Sequence, residues 1–221
     1  RPVSFSVPSG NFGDVYAGYA ASRMGLPVEQ LIVATNRNDI LSRFFNSGEY
    51  RKAGVDPTIS PSMDIQVSSN FERYLADLYG RDGAAVSELM ARLDSDGGFV
   101  IDRLRLNDSL FAAGKCGEAE TIETIRRTFE ETGTLVDPHT AVGLFAGQNC
   151  RKDSHIPLVT LSTAHPAKFP DAVEKATGER PALPKHMSDL FAREERFAQL
   201  PNDIETVKSY IRERARILAP H

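Results

Sequence analysis

The sequence predicts an α/β fold built on a parallel sheet, and three observations carry that reading. Val3, Phe5 and Val7 alternate with Ser4 and Ser6, the period of two expected of a strand with one buried face. The turn Pro8-Ser9-Gly10-Asn11-Phe12-Gly13 follows at once. From Asp14 the spacing is helical, with Tyr16, Tyr19, Ala20 and Met24 on one stripe until Gly25 and Pro27 stop it. Leu31-Ile32-Val33-Ala34 is then a short continuous apolar run, the mark of a strand covered on both faces. Strand, turn, helix and strand make a βαβ unit, which needs a parallel sheet.

The elements downstream suit the same class. Asp39 to Phe45 has the spacing of a short helix, and residues 46–62, with Gly48, Gly54, Pro57 and Pro61, read as a long loop of the kind that carries function or moves. Phe71 to Leu78 and Val86 to Leu93 are helical in spacing, and Gly97-Gly98 marks a turn. Ile122, Ile125 and Phe129 define an amphipathic helix ended by Gly133. Asp137-Pro138-His139-Thr140 opens a helix from Ala141 to Asn149. Ile156 to Leu161 is a buried-strand candidate running into Ser162-Thr163-Ala164-His165-Pro166. The last helix starts after Pro201 with Asn202 as cap and Glu205 three residues on, and sets Ile204, Val207, Ile211 and Leu218 on one face. Arg212, Glu213, Arg214 and Arg216 read as its solvated side. No repeat or linker interrupts the chain, so residues 1–221 are expected to form one domain.

Composition narrows the function classes. Of 221 residues, 41% are apolar and 25% charged, enough to bury a core. A net charge of −4 without a basic block speaks against nucleic acid and acidic membrane surfaces. No apolar run approaches the roughly eighteen residues of a membrane span, and no signal-peptide pattern opens the chain. A soluble, cytoplasmic protein is expected. Cys116 and Cys150 stand in neither CxxC nor metal-ligand spacing, so no disulfide or zinc site is expected. The chain begins Arg1-Pro2-Val3 rather than with Met, as a fragment of a longer polypeptide would.

The glycine-rich turn carries the first chemical signal. Glycines where a strand meets a helix let main-chain N–H groups approach a ligand, and the helix start adds unpaired donors and the positive end of a dipole. Ser9 and Asn11 add side-chain donors, a set suited to a phosphate monoester. The third glycine of the dinucleotide pattern GxGxxG is missing, and Asn36 stands where an acidic residue would follow. No Gly-Lys-Ser/Thr completes a P-loop. A tight connection without a ligand is the structural alternative, and Asp14 would have to turn away from a bound phosphate.

Five motifs in order then resemble threonine synthase. They are Val7-Pro8-Ser9-Gly10-Asn11-Phe12-Gly13-Asp14, Ala34-Thr35-Asn36-Arg37-Asn38-Asp39-Ile40, Ser68-Ser69-Asn70-Phe71-Glu72-Arg73, Asp137-Pro138-His139-Thr140-Ala141-Val142-Gly143 and Leu161-Ser162-Thr163-Ala164-His165-Pro166-Ala167-Lys168-Phe169. The resemblance covers about residues 3 to 177. It implies the tryptophan-synthase-β fold type, a three-layer α/β parallel sheet with helices on both faces (fold type II). It also implies an enzyme using pyridoxal 5′-phosphate to convert O-phospho-L-homoserine and water to L-threonine and phosphate. In that family the glycine loop holds the cofactor phosphate, which falls here on Ser9, Gly10, Asn11, Phe12 and Gly13. A late-strand hydroxyl meets the pyridine nitrogen, a role that falls to Thr163 with Ser162 beside it.

One family feature is missing. The Schiff-base lysine belongs to a Phe-Lys-Asp context in the N-terminal half, and none of Lys52, Lys115, Lys152, Lys168, Lys175, Lys185 or Lys208 has that setting. No catalytic lysine is therefore assigned. The resemblance implies the C-terminal portion of the enzyme, inactive alone, with the N-terminal half as its partner. Lys168 is a candidate for the substrate phosphate or carboxylate, or else a solvent-facing lysine at a helix start. His165 before Pro166 reads as a turn residue, and Asp137 and Thr140 as a turn and cap. Asn36 to Asp39 lie where ligands gather in open α/β sheets, or supply a helix cap. A phospholyase acting on another phosphorylated amino alcohol and a non-catalytic phosphate-binding module are the rival readings.

Overall fold

The computed structural model describes residues 1–106 and 110–215, in two compact units, Arg1–Ala182 and Leu183–His221. Arg216 and Leu218 of the terminal helix lie outside the described residues. In the first unit the chain runs β1 (Val3–Pro8), α1 (Gly13–Arg23), β2 (Val28–Thr35), α2 (Ile40–Ser47), β3 (Glu49–Arg51), α3 (Phe71–Leu78), α4 (Gly83–Ser95), β4 (Gly98–Val100), β5 (Phe111–Lys115), α5 (Glu118–Thr132), α6 (Pro138–Cys150), β6 (Leu158–Thr160) and α7 (Pro170–Thr177). The main sheet has the order β5-β2-β1-β6 with every pair parallel. β3 and β4 form a separate antiparallel pair.

β2 shows why the sheet has three layers. Leu31 and Val33 enter a core that includes Val15, Tyr19, Phe44 and Phe71, on the side of α1, α2 and α3. Ile32 and Ala34 point to the opposite face and meet Val142 and Ala146 of α6. Alternate residues of a pleated strand feed opposite faces, so a continuous apolar run needs helices on both. A third cluster, Ile125, Ala141 and Ala176, joins α5, α6 and α7.

β1 departs from its sequence reading. Ser4 and Ser6 are buried, while Val3 and Phe5 are only half-buried. β1 lies between β2 and β6, so neither edge is free, and on the face that carries Ser6 the small serine side chain lets α6 come close. The Ser6 hydroxyl donates to the Gly143 carbonyl at 2.6 Å. A Cβ on Gly143 would sit 2.7 Å from Pro8 and 2.9 Å from Thr160, so only glycine fits where α6 crosses the sheet.

Other differences have local causes. α1 buries Val15 and Tyr19, and Met24, 87% exposed, lies beyond its last turn. The region read as a long loop contains β3 and a 3-10 turn at Pro61–Met63. β5, unnoticed as a strand, has the weakly apolar sequence FAAGK and is half-buried at the sheet edge. In the second unit α8 (Ile204–Arg214) is capped by Asp203, whose carboxylate accepts from the Thr206 amide at 2.7 Å; Asn202, expected as the cap, lies one residue too early. Among the described residues no helix is long and apolar enough to cross a membrane, and no group of His, Cys, Asp and Glu could hold a metal ion.

Candidate functional site

The C-terminal end of β1 delivers Ser9 to Gly13 to the start of α1. Phe12 takes the left-handed conformation, φ 64°, which costs a non-glycine residue about 1–2 kcal/mol. Its ring offsets that cost. It is fully buried, edge-on to Phe71 at 5.3 Å and stacked on Phe45 at 5.8 Å. The turn is closed from within, since the Phe12 amide donates to Ser9 Oγ at 3.0 Å and the Gly13 amide to Asn11 Oδ1 at 2.8 Å.

Those two bonds sort the donors. Phe12 and Gly13 spend their amides on the turn and shape it. The Ser9 hydroxyl accepts one bond and keeps its proton to donate, and the Asn11 amide group keeps its N–H₂. The Gly10 and Asn11 main-chain amides make no hydrogen bond among the described residues, and α1 has no side-chain cap. A phosphate monoester fits this set of convergent N–H and O–H donors at a helix start.

Three further segments complete a cleft of about 160 Å³ lined by Ser9, Gly10, Asn11 and Asp14 on one side, and by Ser62, Met63, His139, Thr163, Ala164 and Lys168 on the others. Five of the seven candidate residues thus share one cavity, while the Phe12 side chain packs in the core and Gly13 does not line the cavity. Asp14 and Lys168 bring charges of opposite sign to the rim. The Lys168 ammonium lies 5.6 Å from the centre of the Phe169 ring.

The remaining motifs build the walls. Ser68 Oγ donates to the Gly10 carbonyl at 2.5 Å, and the Asn70 amide donates to the Asn11 carbonyl at 3.0 Å, so the third motif braces the first. Asn36 and Asn38 are buried and donate to Asp64 Oδ1 at 2.8 and 3.0 Å, which also accepts from the Thr58 hydroxyl at 2.7 Å. The segment around residues 56–66 is therefore a hydrogen-bonded wall. Close approach explains Gly10, where a Cβ would lie 3.0 Å from Ile65 Cδ1 and 3.1 Å from Met63 Cα. Asp39 flanks α2 without a capping bond and pairs with Arg43 at 2.9 Å and Lys115 at 3.0 Å.

His139, left without a chemical role by the sequence, lines the cleft, and Asp137 is fully buried and bonded to it. Asp137 caps α6 through the His139 and Thr140 amides and also accepts from His139 Nδ1 at 2.8 Å and from the Thr140 hydroxyl. Burial opposes its ionisation, but the bonds from His139 and Thr140 outweigh that and hold the carboxyl below its ordinary value. His139 Nε2 accepts from the Ser62 amide at 3.1 Å, which leaves the proton on Nδ1. The sequence signal was present in Asp-Pro-His-Thr, but spacing alone cannot tell a cap from a cap that also reaches across a cleft. His165 is a turn residue, its Nδ1 accepting from the Ala167 amide at 3.1 Å.

A parallel sheet layered by helices on both faces, with open N–H and O–H donors where a strand gives way to a helix, defines a three-layer α/β protein. Two solved structures share the arrangement. The pyridoxal-phosphate-bound threonine synthase from Brucella melitensis is 51% identical with a TM-score of 0.90, over 98% of this chain and 47% of that one. The yeast threonine synthase is 38% identical with a TM-score of 0.82, over 96% and 47%. A family model described as threonine synthase, C-terminal, matches residues 140–211. The Pseudomonas aeruginosa threonine synthase is 52% identical over 214 residues, 96% of this chain and 46% of its own length. The chain is a relative of the threonine synthases and corresponds to their C-terminal part; it spans about half the length of the curated relatives it matches.

Proposed function

We propose that this chain is the C-terminal part of a threonine synthase, which converts O-phospho-L-homoserine and water to L-threonine and phosphate by β,γ-elimination and replacement in cytoplasmic threonine biosynthesis. The observation that carries the reading is convergence. Motifs scattered from residue 7 to residue 169 either line one polar cleft or brace its walls. Pyridoxal phosphate, when bound, supplies the electron sink for this reaction.

The chain's own residues would hold and tune. Ser9, Gly10 and Asn11 would bind the cofactor phosphate through the donors left open by the closed turn, with Phe12 and Gly13 setting its shape. Thr163, with Ser162 beside it, would offer the ring nitrogen a neutral hydroxyl, which unlike a carboxylate does not keep that nitrogen protonated. Lys168 would meet the substrate phosphate or carboxylate from the rim. None of the seven lysines has the Phe-Lys-Asp setting, so the Schiff-base lysine is assigned to the N-terminal half of the same enzyme, and this chain alone would bind without turnover.

The test is a product assay on the full-length protein with pyridoxal phosphate. O-phospho-L-homoserine is expected to yield threonine and inorganic phosphate in equal amounts, with no release from O-phospho-L-threonine. Release from O-phospho-L-threonine alone would assign a phospholyase instead. Release from neither would leave a phosphate-binding module.

A further inference from the structure

Asp137 is fully buried, and both of its oxygens are used twice. Oδ1 accepts from the His139 amide and from His139 Nδ1, and Oδ2 from the Thr140 amide and the Thr140 hydroxyl. That fills the acceptor sites of a carboxylate. A helix cap needs only the two amides. The other two bonds have consequences across the cleft.

With its proton held on Nδ1, His139 must present a bare Nε2, and this atom takes the Ser62 amide on the wall formed by residues 56–66. With its proton given to Asp137, the Thr140 hydroxyl must turn a lone pair outward, and it accepts from the Thr163 amide at 3.3 Å. Ser62 and Thr163 line the same cleft, on segments about a hundred residues apart in sequence.

We propose that Asp137 is a positioning residue: its one buried carboxylate sets the hydrogen-bond polarity of His139 and Thr140 and so fixes the Ser62 and Thr163 walls relative to each other. The consequence for chemistry rests on the functional reading above, in which Thr163 meets the cofactor. Asn at this position would keep the shape and lose the polarity, because one oxygen cannot accept four bonds and its N–H₂ would face the two donors.

Hydrogen–deuterium exchange on the full-length protein reads the two walls separately. Thr140→Val is expected to raise exchange of the Thr163 amide about fivefold with Ser62 unchanged, since one hydrogen bond is lost. Thr140→Ser keeps the hydroxyl and should retain wild-type rates. Asp137→Asn should loosen both walls while α3 stays protected. In the phosphate-release assay Thr140→Val should lower kcat about tenfold with KM within about twofold, as a displaced positioning group does, and Thr140→Ser should restore it. Unchanged Thr163 exchange in Thr140→Val overturns the proposal. So does loosening of both walls and α3 together in that variant, which would mean a merely structural role. If Asp137→Asn does not fold, the two Thr140 variants decide. A wild-type protein that releases no phosphate refutes the functional reading, and the exchange pattern still decides the link between the walls.

Discussion

Asp137 and Cys116 show how burial, which raises both acidic groups, can end in opposite net shifts. Burial alone would raise Asp137, but hydrogen bonds from His139 and Thr140 reverse it and the carboxyl sits below its ordinary 3.8. Ionised Asp137 therefore favours the folded chain above that value, and its contribution is lost as pH falls through the lower folded-state value. Acid titration of stability should show wild-type weakening below about pH 4, with Asp137→Asn less stable at neutral pH but flatter across that range. At Cys116 burial wins: desolvation, with Glu120 adding to it, pushes the thiol up to about 11 against one hydrogen bond shared with Thr121. Cys116 should remain unalkylated by iodoacetamide at pH 8 until the chain is unfolded, because the thiolate is the reactive form. Rapid labelling of the folded protein at Cys116 would contradict this environment.

The contact between α6 and β1 is a close one, with no room for a methyl group at Gly143. Gly143→Ala forces a methyl against Pro8 and Thr160 and should lower stability in urea unfolding by about 1–3 kcal/mol, the usual cost of overpacking a close contact. An unchanged midpoint would mean that α6 can move off the sheet. Elements with a strong periodic signal were legible from sequence. The apolar run of β2, the spacing of α3 and the stop of α5 at Gly133 all follow from local chemistry. β5 was not legible, because Phe111-Ala112-Ala113-Gly114-Lys115 has little β preference of its own and becomes a strand by pairing with β2. The burial of the β1 serines beside the buried Val7 was hidden as well. Ser4 and Ser6 look like a solvent face until α6, more than a hundred residues later, covers them.

At the scale of the whole molecule the cleft is assembled by segments distant in sequence, which is why its content was readable and its construction was not. Ser9, Gly10, Asn11, Thr163 and Lys168 could be nominated from motifs, and they meet around one cavity. The bracing by Ser68, Asn70 and Asp64, and the bridge from His139 to Ser62, depend on side chains crossing between elements. Spacing carries no trace of such bonds.

The central claim is that this cleft is a phosphate cradle for a pyridoxal cofactor. It is tested most directly by titrating the full-length protein, freed of cofactor, with pyridoxal 5′-phosphate and with pyridoxal lacking the phosphate. The donors of Ser9 and Asn11 should make binding depend on the phosphate. Ser9→Ala and Asn11→Ala should each weaken pyridoxal phosphate about tenfold, the worth of one hydrogen bond to a charged group, and leave the weak binding of pyridoxal unchanged. Equal affinity for the two compounds, or variants that bind pyridoxal phosphate as tightly as wild-type, would contradict the account.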